Sequence, residues 1–281
     1  MLKKTLSILM SVILLAGLVS MPSASMAATP TMKVHFINVG QGDATYIKMP
    51  GGEDVLIDGG RQGQGDEVIA YLKKQKVDDI EIMIATHPDA DHLGGLDEVL
   101  KAYKVESVYA PKVAHTTDAY KNFLTAVKAE KLTIKTAKAG VKLPLKTGTA
   151  KFIGPTRDYG KSDLNNWSAV LHITYNKNKF LFTGDAEKTA ESDMVKAKQT
   201  LLADVIKVGH HGAKTSSNAG FLKVVKPKYA VISVGKNSYG HPSTEVLNRY
   251  KPYKTTIYRT DQKGNIIFTS TGTKITVATV K

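Results

Sequence analysis

The 281-residue chain has no cysteine. It can carry no disulfide framework, no thiolate metal site and no cysteine nucleophile, so any metal must be held by nitrogen and oxygen ligands. Arginine is scarce: only Arg61, Arg157, Arg249 and Arg259 stand among the 39 basic residues. Lysine acts as a hydrated point charge, arginine as a bidentate fork. That balance suits loose attraction to a polyanion, such as nucleic acid, a phosphorylated wall polymer or an anionic cell surface, better than base-specific readout. Long apolar runs are missing beyond the N-terminus, and no run of like charge is long enough to form a tail. There is no low-complexity linker and no fixed-period repeat.

What is present is globular material. A chain that is 42% hydrophobic and 23% charged is not disordered, and its length allows a sizeable core. Lys3 and Lys4 precede an apolar run from Leu6 to Met21, followed by small residues up to Ala27 and Ala28. The run covers only about 16 residues, short of the ~20 that a bilayer crossing needs. Residues 1–28 therefore read as a cleaved signal peptide and 29–281 as the mature domain, secreted or cell-surface associated without stable membrane insertion. Removing Lys3 and Lys4 takes the formal charge from +14 to +12, so the excess belongs to the mature domain. Nothing in the sequence points to a protein partner.

Strand and helix patterns alternate along the chain. Strands are expected at Lys33–Val39, Ala44–Met49, Asp54–Asp58, Glu81–Thr86 and Val105–Tyr109. Helices are expected at Asp66–Lys76, with Val68, Ile69, Leu72 and Lys76 on one face, at Leu93–Tyr103 and at Thr117–Glu130. The second half predicts a hairpin from Ala169–Tyr175 to Lys179–Thr183. Helices follow at Glu187–Lys198, Asn218–Val225 and Thr244–Tyr250, and strands at Asp204–Val208 and Tyr229–Val234. Three strands end the chain, near 255–259, 265–269 and 274–280. Val141–Trp167, rich in Gly, Pro and Asn, reads as a long functional loop. The layout predicts two mixed sheets face to face with helices outside.

The chemistry gathers at strand ends. After Ile82-Met-Ile-Ala-Thr comes His87-Pro-Asp89-Ala-Asp91-His92-Leu-Gly-Gly95, with four possible ligands in six positions. Alternate loop positions point the same way, so His87 and Asp89 could serve one metal, and Asp91 and His92 a second beside it. A second strand ends in Thr183-Gly-Asp185-Ala-Glu187, where one carboxylate could bridge two cations. Alone, Gly-Asp is weak, because Asp also caps helices. A third strand ends in His210-His211-Gly212. Neighbouring imidazoles do not easily bind one ion, so one is expected to be a ligand and the other its support. The spacing leaves open which. Lys236, Asn237 and Tyr239, in the loop before His241-Pro242, are candidates to contact substrate. His35, His115 and His172 read as structural or solvated.

These motifs resemble the metallo-β-lactamase superfamily. More narrowly, they resemble the hydrolase domain of the ComEC competence proteins and their secreted free-standing relatives. Phe36-Ile-Asn38-Val-Gly-Gln-Gly-Asp43 and Asn165-Asn-Trp-Ser168 are similar to that branch as well. The resemblance implies an αββα sandwich with a two-metal site at one edge. It implies a first metal on His87, Asp89 and either His210 or His211, and a second on Asp91, His92 and His241. Asp185 would bridge them, and Asp91 or a neighbouring carboxylate would orient water. Asp89 and Asn165-Asn166 stand where many members carry histidine. The site is therefore harder, with Zn²⁺ expected first and Mn²⁺ or Mg²⁺ gaining ground.

The leading expectation is hydrolysis of phosphodiester bonds, in extracellular DNA or a phosphorylated wall polymer, including phosphocholine esters. Hydrolysis of lactones, β-lactams or other carboxylic esters is the alternative, and the basic charge argues against it. A catalytically silent polyanion-binding protein is the third reading. Retention of every ligand position in the motifs argues against that one.

Overall fold

The computed structural model describes residues 30–281, and the leader expected over 1–28 lies outside them. In chain order the first half runs β1 (Met32–Phe36), β2 (Thr45–Lys48), β3 (Asp54–Ile57), α1 (Gly65–Lys74), β4 (Ile82–Ile84), α2 (Ala90–Leu93), α3 (Leu96–Ala102), β5 (Val108–Ala110), α4 (Asp118–Ala129) and β6 (Ile134–Thr136). The second runs β7 (Lys142–Leu143), β8 (Thr149–Phe152), β9 (Leu171–Tyr175), β10 (Asn178–Phe182), α5 (Lys188–Lys196), β11 (Val205–Lys207), α6 (Ala219–Val225) and β12 (Tyr229–Ile232). It closes with α7 (Thr244–Tyr250), β13 (Thr256–Arg259), α8 (Thr260–Lys263), β14 (Asn265–Ser270) and β15 (Ile275–Val280). No helix among the described residues is long and apolar enough to cross a membrane.

One sheet has the order β15-β14-β1-β2-β3-β4-β5-β6 and the other β13-β12-β11-β10-β9-β8-β7. Side chains alternate across each strand, so each sheet has two apolar faces to cover. Ile82 and Ile84 of β4 meet Phe180 and Phe182 of β10 in the core between the sheets. Met83, between the two isoleucines, packs outward against Leu72, Leu96 and Phe123 of the first helix layer. Leu181, between the two phenylalanines, joins Met194, Phe221 and Tyr250 of the second. The result is the αββα sandwich the sequence predicts. In α4 the buried residues Ala119, Phe123, Ala126 and Val127 form one helical face. The Thr117 hydroxyl caps that helix by accepting the Tyr120 N–H at 3.4 Å.

Three expectations need correcting. The helix expected over Leu93–Tyr103 is broken at Gly94-Gly95, because that backbone presses against the end of β3. A Cβ on Gly95 would lie 2.2 Å from the Gly59 carbonyl oxygen. Lys76 does not join the inner face of α1; it is exposed, with φ 60°, and Val77 fills the buried position. Val141–Trp167 is not one long loop but carries β7 and β8. In β8, Ala150 and Phe152 are buried while Thr149 and Lys151 are exposed, a half-buried four-residue strand too short to stand out by periodicity.

Candidate metal centre

The residues that converge sit just beyond parallel strands. β3, β4, β5 and β6 run parallel, as do β10, β11, β12 and β13. Open parallel sheets place ligands at their carboxyl ends. Asp58 follows β3, the segment His87–His92 follows β4, Asp185 follows β10, His210 and His211 follow β11, and the 235–241 loop follows β12. Close backbone approach joins these ends: the Asp43 N–H donates to the Asp91 carbonyl at 3.0 Å. A Cβ on Gly42 would lie 2.7 Å from that same Asp91 carbonyl oxygen.

Among the described residues four overlapping groups could each hold an ion: His87, His92 and Asp185; Asp91, His92 and His211; Asp43, Asp185 and His211; and Asp43, Asp58 and His92. The His92 Nε2 lies 3.1 Å from Asp185 Oδ1. The His211 Nε2 lies 3.3 Å from Asp91 Oδ2 and 3.4 Å from Asp185 Oδ2. The His87 Nε2 lies 3.4 Å from Asp89 Oδ2. The structure thus groups His211 with Asp91 and His92. His210 stands further off, its Nε2 3.9 Å from Asp185 Oδ2 and its Nδ1 2.8 Å from Glu187 Oε1. His241 lies outside all four groups, its ring centroid 5.3 Å from that of His210, and lines the same cleft. Both His210 and His211 are left-handed, at φ 50° and 51°. Such backbone costs roughly 1–3 kcal/mol per residue and clusters at functional sites.

Hydrogen bonds fix which imidazole nitrogen faces the centre. The His211 Nδ1 donates to the Ser233 carbonyl at 2.8 Å, which leaves Nε2 with its lone pair free. The His92 Nδ1 is held by Asp58 Oδ2 at 2.8 Å. Asp58 also accepts from the Thr86 N–H at 2.8 Å and the Thr86 hydroxyl at 2.7 Å.

The loop residues divide by role. Asn237 braces its own loop: its amide donates to the Gly235 and His241 carbonyls, and its oxygen accepts from the Tyr239 and His241 N–H groups. Tyr239 is 66% exposed and lines the cleft. Lys236 is exposed and is not part of the cleft wall. His35 is buried against the Tyr71 hydroxyl, His172 against the Leu202 carbonyl, and His115 serves its own loop, as expected of structural histidines. Asn165, in the position where relatives are expected to carry histidine, contacts Glu187 Oε1 at 3.3 Å.

Sequence reasoning missed Asp43, Asp58 and Lys207. Lys207 is 3% exposed and sits against Asp43 and Asp185, with Nζ 3.5 Å from Asp185 Oδ1 and 3.0 Å from the Gly184 carbonyl. The signals were there: a lysine inside an apolar strand, and an aspartate closing a buried strand before two glycines.

The electrostatics favour cations. Burial works against charge on His92, yet the carboxylates of Asp185, Asp43 and Asp58 hold its pKa well above the usual imidazole range. Burial likewise opposes charge on Asp185, but His92, His211 and Lys207 hold it well below the usual carboxylate range. Asp91 is lowered against its burial by His211 and His92. A field that draws a proton onto His92 also draws a divalent ion. The buried atoms His87 Nε2, His92 Nε2, His211 Nε2, Asp185 Oδ1 and His241 Nδ1 make no directed hydrogen bond. Buried polar atoms are normally paired, so this donor set fits divalent metal.

The chain belongs to the metallo-beta-lactamase superfamily: residues 37–236 match the profile of that family. Its family and its His/Asp groups place it among metallo-hydrolases. It is 33% identical over 252 residues to ComE operon protein 3 of Bacillus subtilis, covering 83% of this chain and 32% of that protein. It is 31% identical over 243 residues to Recombination protein 2 of Haemophilus influenzae, covering 84% of this chain and 29% of that protein. The chain thus spans about a third of the length of these relatives. The solved metallo-beta-lactamase fold protein YhfI from Bacillus subtilis superposes with a TM-score of 0.56 at 12% identity, over 85% of this chain and 100% of that one. That likeness is one of fold.

Proposed function

We propose that this chain is an exported phosphodiesterase that hydrolyses a polyanion, nucleic acid or a phosphorylated wall polymer, at a two-metal centre. The observation that supports it most is the convergence of unpartnered imidazole and carboxylate atoms in one cleft of a chain with formal charge +14. With its Nδ1 on Asp58, His92 has only Nε2 to offer, so it serves one ion, together with Asp91 and His211. His87 and Asp89 would then hold the other, and Asp185 lies within reach of both sets. Zn²⁺ is the first choice for this donor set, with Mn²⁺ or Mg²⁺ favoured by its oxygens. Bound there, a metal pair acidifies water and neutralises charge on the attacked phosphate.

The chain's own residues supply the rest. Asp91, held ionised, orients the attacking water by accepting a hydrogen bond from it. His210 stands on Glu187 at the cleft edge and holds a proton at Nε2 for the leaving oxygen. Tyr239 and Arg61 line the mouth where a polyanion enters. The test is hydrolysis of single-stranded DNA and of a chromogenic phosphodiester by Zn²⁺- or Mn²⁺-loaded protein, beside Asp185→Ala. Cleavage lost in the variant supports the proposal; no cleavage by protein carrying two metals overturns it.

A further inference from the structure

A second cavity, of about 470 Å³, shares His87 with the metal centre. It lies at the carboxyl ends of β4, β5 and β6, where Pro88 and Pro111 begin their loops, and α4 closes it with Tyr120 and Phe123. Its walls are mainly apolar, unlike the polar cleft around Asp185. Exposed Lys112 stands on its rim and also lines the adjoining cavity of about 590 Å³, together with exposed Lys138.

We propose that this cavity is a base pocket, taking one nucleobase of a single strand whose phosphodiester lies at the metal centre. The inference rests on the phosphodiesterase reading and narrows it to nucleic acid. His87 stands between the two places: its Nε2 lies 3.4 Å from Asp89 Oδ2, and it lines the cavity. A nucleobase presents a planar, weakly hydrated face that proline and tyrosine surfaces match. A polyol-phosphate polymer has no group to fill such walls. Lys112 and Lys138 then meet the phosphates that follow the seated base, whatever its sequence.

Ala114 lines the cavity from an exposed loop position, so Ala114→Trp fills it without disturbing the core. The measurement is kcat/KM for oligothymidylate and for an oligomer of equal length and charge carrying abasic residues. Ala114→Trp is expected to lower the first by roughly tenfold or more and to leave the second unchanged. Equal loss on both substrates, or loss on neither, overturns the pocket. A binding experiment separates this claim from the reading beneath it. Thymidine 5′-monophosphate, titrated calorimetrically, is expected to bind the wild type more tightly than glycerol 3-phosphate does, and to lose that advantage in Ala114→Trp. This holds even if no phosphodiester is cleaved. Equal binding of the two monophosphates to the wild type overturns the base assignment and favours the wall polymer.

Discussion

Asp58 holds His92 by a 2.8 Å contact between Oδ2 and Nδ1, and it does so from a left-handed backbone at φ 60°. The carboxylate sets the tautomer and aims Nε2 at Asp185. Such supports are worth ~10–100-fold in metal affinity. Asp58→Asn is therefore expected to weaken binding of one of two metals by that factor, read by competition with a chromogenic chelator. Unchanged affinity would show that His92 needs no support.

In the proposed reaction the contacting pair His210 and Glu187 would protonate the leaving oxygen. The hydrogen bond from His210 lowers the Glu187 carboxyl, and Glu187 in turn raises His210 against its burial. Glu187→Gln is expected to slow cleavage of DNA, whose leaving alkoxide needs a proton, by about 10²-fold. Cleavage of a p-nitrophenyl diester, whose leaving group needs none, should change little. Equal losses on both would assign the pair to metal or substrate binding instead.

Lys207 is a buried cation between Asp43 and Asp185. Breaking a buried pair leaves an uncompensated charge and costs about 3–5 kcal/mol. Lys207→Met is expected to lower the stability of metal-free protein by that amount. Added Zn²⁺ should stabilise the variant more than the wild type, because the ion replaces the missing charge. Denaturant unfolding with and without metal reads both effects.

Acid should destabilise the protein through His35, away from the cleft. Burial, and then Lys33, push this imidazole down from 6.5 to about 4. The folded chain keeps the ring neutral while the unfolded chain protonates it below 6.5. This contribution is complete above that pH and is lost as pH falls towards 4, a total of about 3 kcal/mol at ~1.4 kcal/mol per pH unit. His35→Gln should flatten that part of the stability profile, measured by urea unfolding between pH 7 and pH 4.

Much of this site is legible from strand ends alone. His87, Asp89, Asp91, His92, Asp185 and His211 each stand just past a run of apolar residues, and the fold brings those ends together. The choice between His210 and His211 was not legible, because both leave the strand in left-handed backbone, where alternation no longer applies. Asn237 looked like a substrate contact because its four bonds to its own loop depend on the turn it closes. Asp43 and Lys207 are separated by most of the chain. Their pairing follows from β1 and β11 lying in facing sheets, which no local pattern encodes.

A dinuclear centre that performs the proposed hydrolysis is tested most directly by counting metal. Metal-free protein titrated with Zn²⁺ or Mn²⁺ should bind two ions per chain, with phosphodiester cleavage rising as the second site fills. Asp185→Ala should bind fewer than two and stay inactive. Saturation by a single ion with full activity, or two ions retained in Asp185→Ala with activity intact, would contradict the account.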